Sequence, residues 1–171
     1  MTQTWLLTGG AGYIGAHVLR ALHGAGYNVV VLDDLSTGVR RKVVEGVPFV
    51  EASILDREAV AQALREHRVD GVIHLAAKKA VGESVERPFF YYEQNVAGMV
   101  SLLEAVRDVG VPRFVLSSSA AVYGSPDVER VAEATPCVPL NPYGETKLIQ
   151  EWLLRDLAAA GVDHSWVALR Y

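Results

Sequence analysis

The stretch Thr8 to Gly15 reads TGGAGYIG and contains Gly10-x-Gly12-x-x-Gly15, overlapped by Gly9-x-x-Gly12-x-x-Gly15. Glycines at these spacings permit a tight turn, close approach of the backbone to a pyrophosphate, and close helix–sheet packing. A helix opening directly after such a loop offers free N–H groups and partial positive charge to an anion. Asp33 follows 18 residues after the last glycine, near the spacing of about 20 expected for an acid that binds a ribose. A carboxylate there accepts hydrogen bonds from both ribose hydroxyls and repels a 2′-phosphate, so the pattern favours NAD over NADP. Asp34 adds to the repulsion.

A second constellation lies far along the chain. Tyr143 and Lys147, four residues apart, share one face of a helix. Free tyrosine titrates near pH 10, too high for a base at neutral pH. A neighbouring ammonium favours the phenolate and lowers that value. Ser119, at the end of an apolar run, can hydrogen-bond the same substrate oxygen. Together the three would move a proton on a carbinol while a nicotinamide takes its hydride.

Elements that could position these residues alternate along the chain. Apolar runs at 4–7, 28–33, 47–50, 71–76, 113–117 and 164–169 predict strands. Helical spacing predicts helices over 13–25, 56–67, 88–109 and 141–160, with Asp56 and Asn141 as N-caps and Gly26, Gly110 and Gly161 as stops. Buried strands separated by helices imply an α/β fold: a doubly wound, Rossmann-type parallel sheet with helices on both faces. The proline-rich segment 119–142 is predicted to be irregular, at the sheet edge where such folds bind ligands.

Composition bounds the alternatives. The 171 residues suit one dinucleotide-binding domain, 1–171. Half are apolar and 21% are charged, enough for a core and unlike a disordered chain. The net charge of −4, without a basic stripe, argues against nucleic-acid binding. A lone cysteine, Cys137, fits a reducing cytoplasm. It has no nearby base in sequence, so no nucleophilic role is expected of it. No run reaches the length of a membrane span. The five histidines lack metal-ligand spacing, so no metal is expected.

These motifs together resemble the extended short-chain dehydrogenases/reductases, and within them the UDP-glucose 4-epimerases. The matching stretches are Thr8–Gly15, Asp33–Gly38, Lys79–Ser84, Tyr91-Tyr92 with Asn95, Ser117–Gly124, Tyr143–Lys147 and Leu169-Arg170-Tyr171. The resemblance implies an NAD site. Gly9, Gly12 and Gly15 with Tyr13 and Ile14 would lie at the pyrophosphate. Asp33, Asp34, Leu35, Ser36, Thr37 and Gly38 would hold the adenosine ribose. Ser53, where the family usually has aspartate, and Ile54 would meet the adenine. Leu75, Ala76, Ala77, Lys78 and Lys79 would line the cofactor, and Asn95 would reach it from the long helix.

Ser119, Tyr143 and Lys147 would be the catalytic set, with Ser119 and Tyr143 at the substrate and Tyr143 and Lys147 also at the cofactor. The implied substrate is a UDP-sugar. The implied assembly is a homodimer through helices 88–109 and 142–160. Dehydratases of the family carry Asp-Glu after the catalytic serine or threonine; Ala120-Ala121 here disfavours elimination. Family members are about twice as long, so the chain reads as an N-terminal half lacking the substrate-binding domain. Little or no epimerase activity is expected of it alone. The other readings are a different nucleotide-sugar epimerase or dehydrogenase of the family, and a non-catalytic NAD-binding module.

Overall fold

The computed structural model describes residues 2–162 and 164–171. Six parallel strands form one sheet: β1 (Thr4–Thr8), β2 (Asn28–Asp33), β3 (Phe49–Glu51), β4 (Gly71–His74), β5 (Arg113–Ser118) and β6 (Ser165–Arg170). Their order across the sheet is β3-β2-β1-β4-β5-β6. After β3 the chain crosses back to β4 on the other side of β1. The C-terminal ends of β1 and β4 therefore diverge, and loops leaving them open a crevice.

Side-chain alternation along the strands builds a core on each face. Leu6, Val30, Leu32, Val72, Phe114 and Leu116 pack under helices α2 (Arg57–Glu66), α5 (Gly98–Val109) and α6 (Pro142–Ala159). Leu7, Val29 and Val31 point to the opposite face and pack with Leu19 of α1 (Tyr13–Gly24) and with Val43 and Val47. A fully buried leucine such as Leu102 contributes about 1.5–3 kcal/mol.

The caps form as the sequence predicts. Asp56 Oδ1 accepts from the Ala59 N–H at 3.0 Å, and Asn141 Oδ1 accepts from the Gly144 N–H at 2.9 Å. Gly110 ends α5 in the left-handed conformation, φ 80°.

The structure corrects several boundaries. The strand predicted at 47–50 runs instead over Phe49–Glu51: Pro48 has no N–H, and the Val47 N–H turns back to the Val44 carbonyl. The strand predicted to reach residue 76 stops at His74, and the Ala76 N–H goes to the side chain of Thr8. An unforeseen short helix, α3 (Val81–Glu86), follows.

The long helix 88–109 is continuous but not uniform. It begins as α4 (Pro88–Tyr91), widens to a π-turn over Tyr92–Ala97, then continues as α5. Segment 119–141 is irregular except for a 3₁₀ turn, Ala120–Tyr123, capped by the Ser119 hydroxyl.

Candidate functional site

The glycine loop bridges β1 and α1. Gly9 has φ +71°, and a Cβ there would lie 2.7 Å from the Ala76 amide nitrogen. A Cβ on Gly15 would lie 2.1 Å from the Gly9 carbonyl oxygen. These two positions require glycine because backbone meets backbone. Gly12 caps α1 without a side chain, leaving the N–H groups of Tyr13, Ile14 and Gly15 outside the intrahelical ladder. They face any anion at the helix end with aligned dipoles behind them.

Asp33, at the end of β2, is buried beside this loop. One carboxylate oxygen accepts from the Ala11 N–H at 2.9 Å, the other from the Leu35 N–H at 2.9 Å. A carboxylate oxygen can accept more than one bond, so capacity for a ribose remains. Gly38 backs this side chain: a Cβ on it would come 2.4 Å from Asp33 Oδ1. Asp34 accepts from both the backbone and the hydroxyl of Ser36, and Lys78 Nζ donates to that hydroxyl at 2.7 Å.

A cleft of about 310 Å³ runs along the loop ends. Most residues named from sequence line it: Gly9 and Gly12–Gly15, then Asp33, Asp34, Ser36 and Thr37, then Ser53 and Ile54, and Leu75–Lys79 on the opposite wall. Leu32, Lys42, Ala52, Gln94 and Ser117 line it as well. No residue spacing singled these five out. Leu35, Gly38, Asn95, Ser119, Tyr143 and Lys147 are not among the residues that line it.

Asn95 is fully buried in the π-turn. Its side-chain oxygen accepts from the Lys78 N–H at 2.8 Å, and its amide donates to the Lys78 carbonyl at 3.0 Å and the Thr146 hydroxyl at 3.1 Å. It pins the wall formed by residues 75–79. Tyr91 braces the same loop, donating to the Ala80 carbonyl and accepting from the Ala80 N–H. Burial, reinforced by Glu83, pushes the Tyr91 hydroxyl up to about 12.

Ser119 follows the end of β5, and Tyr143 and Lys147 lie on α6. Tyr143 stands half-buried in the first turn of α6, directly after Asn141-Pro142. Lys147 is buried one turn on; its Nζ donates to the Ser117 carbonyl at 2.9 Å and to Gln150 Oε1 at 3.2 Å. Burial lowers the Lys147 ammonium to about 8. Burial also pushes His74, at the end of β4, down to about 3, with a smaller contribution from Lys147. The His74 ring is thus neutral and hydrogen-bonds Thr8 at 2.7 Å.

Two residues inside the Tyr-x-x-x-Lys run have roles that spacing did not disclose. A Cβ on Gly144 would come 2.7 Å from the Ala121 carbonyl, so glycine lets α6 close on the turn that follows Ser119. Glu145 accepts from the Tyr92 hydroxyl and pushes it up to about 12. Ser118, beside Ser119, donates to Glu151, which is paired at 2.6 Å with Arg170. Arg170 also donates to the Tyr123 hydroxyl at 2.7 Å. Among the described residues no cluster of three or more His, Cys, Asp or Glu could hold a metal ion, and no helix is long and apolar enough to cross a membrane.

A glycine cradle at the switch point of a six-stranded parallel sheet, with Asp33 at the end of β2, defines a Rossmann-type domain. Residues 5–171 match the NAD dependent epimerase/dehydratase family, and the chain belongs to it. Among curated relatives it is 48% identical over 166 residues to the UDP-glucose 4-epimerase of Azospirillum brasilense, covering 97% of this chain and 47% of that one. It is 47% identical over 173 residues to the UDP-glucose 4-epimerase of Bacillus subtilis, covering 97% of this chain and 51% of that one. The UDP-glucose 4-epimerase of Brucella ovis, solved in complex with NAD, superposes with a TM-score of 0.96 at 44% identity, over 99% of this chain and 52% of that one. The chain thus spans about half the length of the curated relatives it matches.

Proposed function

We propose that this chain binds NAD and carries the proton-transfer residues of a UDP-glucose 4-epimerase. The observation that carries the reading is that the buried Lys147, with Tyr143 one helical turn before it, bonds the carbonyl of Ser117, which lines the same cleft as the glycine cradle. The cradle fits a dinucleotide: side chains are excluded at Gly9 and Gly15, and three N–H groups of α1 face the gap. Gly9, Gly12–Gly15, Asp33–Thr37, Ser53, Ile54 and Leu75–Lys79 would hold the cofactor, with Gly38 and Asn95 supporting them and Tyr143 and Lys147 at its reactive end.

When bound, NAD would supply reversible hydride transfer at the sugar C4. Tyr143 takes the proton of the 4-hydroxyl. Lys147 favours the phenolate by its charge, and Ser119 hydrogen-bonds the same oxygen. Ala120 and Ala121, in the turn after Ser119, offer no acid or base for elimination, which favours epimerisation over dehydration. The single cysteine suits a reducing cytoplasm.

Two measurements test this. Calorimetric titration should show NAD binding at least about 100-fold tighter than NADP, because a 2′-phosphate would face Asp33. Equal affinities defeat the role given to Asp33. UDP-galactose should be converted to UDP-glucose by a chain extended to the relatives' length, and Tyr143→Phe should slow it by about 10²–10⁴-fold. Turnover untouched by Tyr143→Phe defeats the chemistry.

We also propose a homodimer through the outer faces of the 88–109 helix and α6. Met99, Leu102, Leu103 and Leu148 are buried in this chain's own core, whereas Phe89, Val100 and Trp152 are 87%, 39% and 45% exposed. Those three are large apolar side chains of the two helices left open for a partner. Sedimentation at tens of micromolar should show a dimer that Trp152→Glu dissociates; a monomeric parent chain contradicts it.

A further inference from the structure

Gln150 is a fully buried side chain to which neither the motifs nor the chemistry above gives a task. It lies one turn past Lys147 on the same face of α6. Both ends of its amide are used. Gln150 Oε1 accepts from Lys147 Nζ at 3.2 Å, and Gln150 Nε2 donates to the Asn95 main-chain carbonyl at 2.7 Å. That carbonyl belongs to the π-turn, where the widened helix changes the usual backbone pairing. The Asn95 side chain, from the same residue, holds both backbone groups of Lys78 on the cleft wall.

We propose that Gln150 is a positioning residue: its amide ties the Lys147 ammonium to the π-turn and, through Asn95, to the wall of the cleft. The inference rests on the preceding reading of Lys147 as the partner of Tyr143.

Counting donors shows what the tie achieves. An ammonium has three N–H groups. One goes to the Ser117 carbonyl and one to Gln150, leaving a single N–H for the reacting side. The ammonium cannot swing without breaking two buried bonds. Both acceptors are neutral, and among the described residues no carboxylate pairs with Lys147. The titratable groups around it are His74 from β4, neutral and buried, and on its own helix Tyr143 and Glu151, the latter engaged by Arg170. An apolar side chain at 150 would leave an N–H unmatched. A carboxylate would bind the ammonium as a counter-ion and compete with a tyrosinate for its charge.

The experiment follows the lysine side chains by NMR in selectively labelled protein, without cofactor or substrate. The chain has four lysines, 42, 78, 79 and 147, and the resonance lost in Lys147→Met identifies the one of interest. Gln150→Met, close in shape, should lower the Lys147 midpoint by about one unit, since the charged form loses an acceptor. Gln150→Glu should raise it by about one unit or more.

Opposite displacements from one buried site are the expected result; a merely structural role would not produce them. Midpoints within about 0.3 unit of the parent, or displaced in the same direction, overturn the proposal. Should Gln150→Met fail to fold, Gln150→Glu decides alone, and the absence of an upward displacement overturns it. Because this titration needs neither ligand nor turnover, its failure is distinguishable from failure of the NAD titration or of the Tyr143→Phe assay.

Discussion

Replacing Arg170 by Met is expected to destabilise the fold by about 2–3 kcal/mol, below the ~3–5 kcal/mol of a fully buried pair because the Arg170 side chain stays 22% exposed over a buried Glu151. Arg170 donates to both oxygens of Glu151, at 3.0 and 2.6 Å, and to the Tyr123 hydroxyl at 2.7 Å. Without it, the Glu151 carboxylate keeps, among the described residues, only the Ser118 hydroxyl as a donor. Thermal unfolding should fall by roughly 4–12 °C for a chain of this size.

The double variant Glu151→Leu with Arg170→Met should lose less than Arg170→Met alone, because no unpaired charge is left behind. A single variant within about 0.5 kcal/mol of the parent would show that the pair is not effectively buried. The consequence reaches the chemistry through chain geometry. Ser118 precedes Ser119, Tyr123 ends the turn that Ser119 caps, and Glu151 stands one turn past Lys147. The ion pair therefore clamps β5, β6, the turn and α6 beside Ser119 and Lys147.

Gly15→Ala should weaken NAD binding by about 100-fold or more and destabilise the chain by about 1–3 kcal/mol, the range for an overpacked site. The added methyl would lie 2.1 Å from the Gly9 carbonyl oxygen and 2.7 Å from Gly10 Cα. Both obstacles are main-chain atoms, and alanine has no rotamer with which to avoid them. Relief requires α1 to move away from the loop, which displaces the N–H groups that would meet a pyrophosphate.

Gly82→Ala supplies the control. A Cβ there meets nothing within 4 Å, and the residue sits in α3. Alanine should leave NAD affinity unchanged and stability equal or up to about 1 kcal/mol higher. Equal NAD affinity in the Gly15 and Gly82 variants, measured by titration calorimetry, would remove the glycine loop from the binding site.

Some elements are legible because their determinants are local. Apolar runs placed all six strands in the right order and within two residues at either end, since a strand covered on both faces is apolar on both. Asp56, Asn141 and Gly110 marked helix ends because capping is a contact across three or four residues. The glycine loop was legible because its conformational demand falls on the residues themselves.

The misses share the opposite property. Helix α3 has six residues, too few to show a period, and the Tyr91 hydroxyl bonds its N-cap residue, Ala80, from eleven positions away. The π-turn leaves no trace in hydrophobic spacing. Asn95 matched a family pattern, yet its hydrogen bonds to Lys78 and Thr146 join residues 17 and 51 positions distant.

The sequence by itself determined the order of elements, the loop that must be glycine, the acid at the end of β2 and the helical register that sets Tyr143 beside Lys147. Each follows from backbone sterics or from neighbours on one element, interactions that act over a few residues. Only the tertiary structure decided which lysine contacts are made, that Gln150 and Asn95 lie between Lys147 and the cleft wall, and that Arg170 pairs with Glu151. Those choices depend on which buried polar groups meet after the sheet closes. A buried amide or charge must be matched by whatever partner the packed fold brings within about 3 Å.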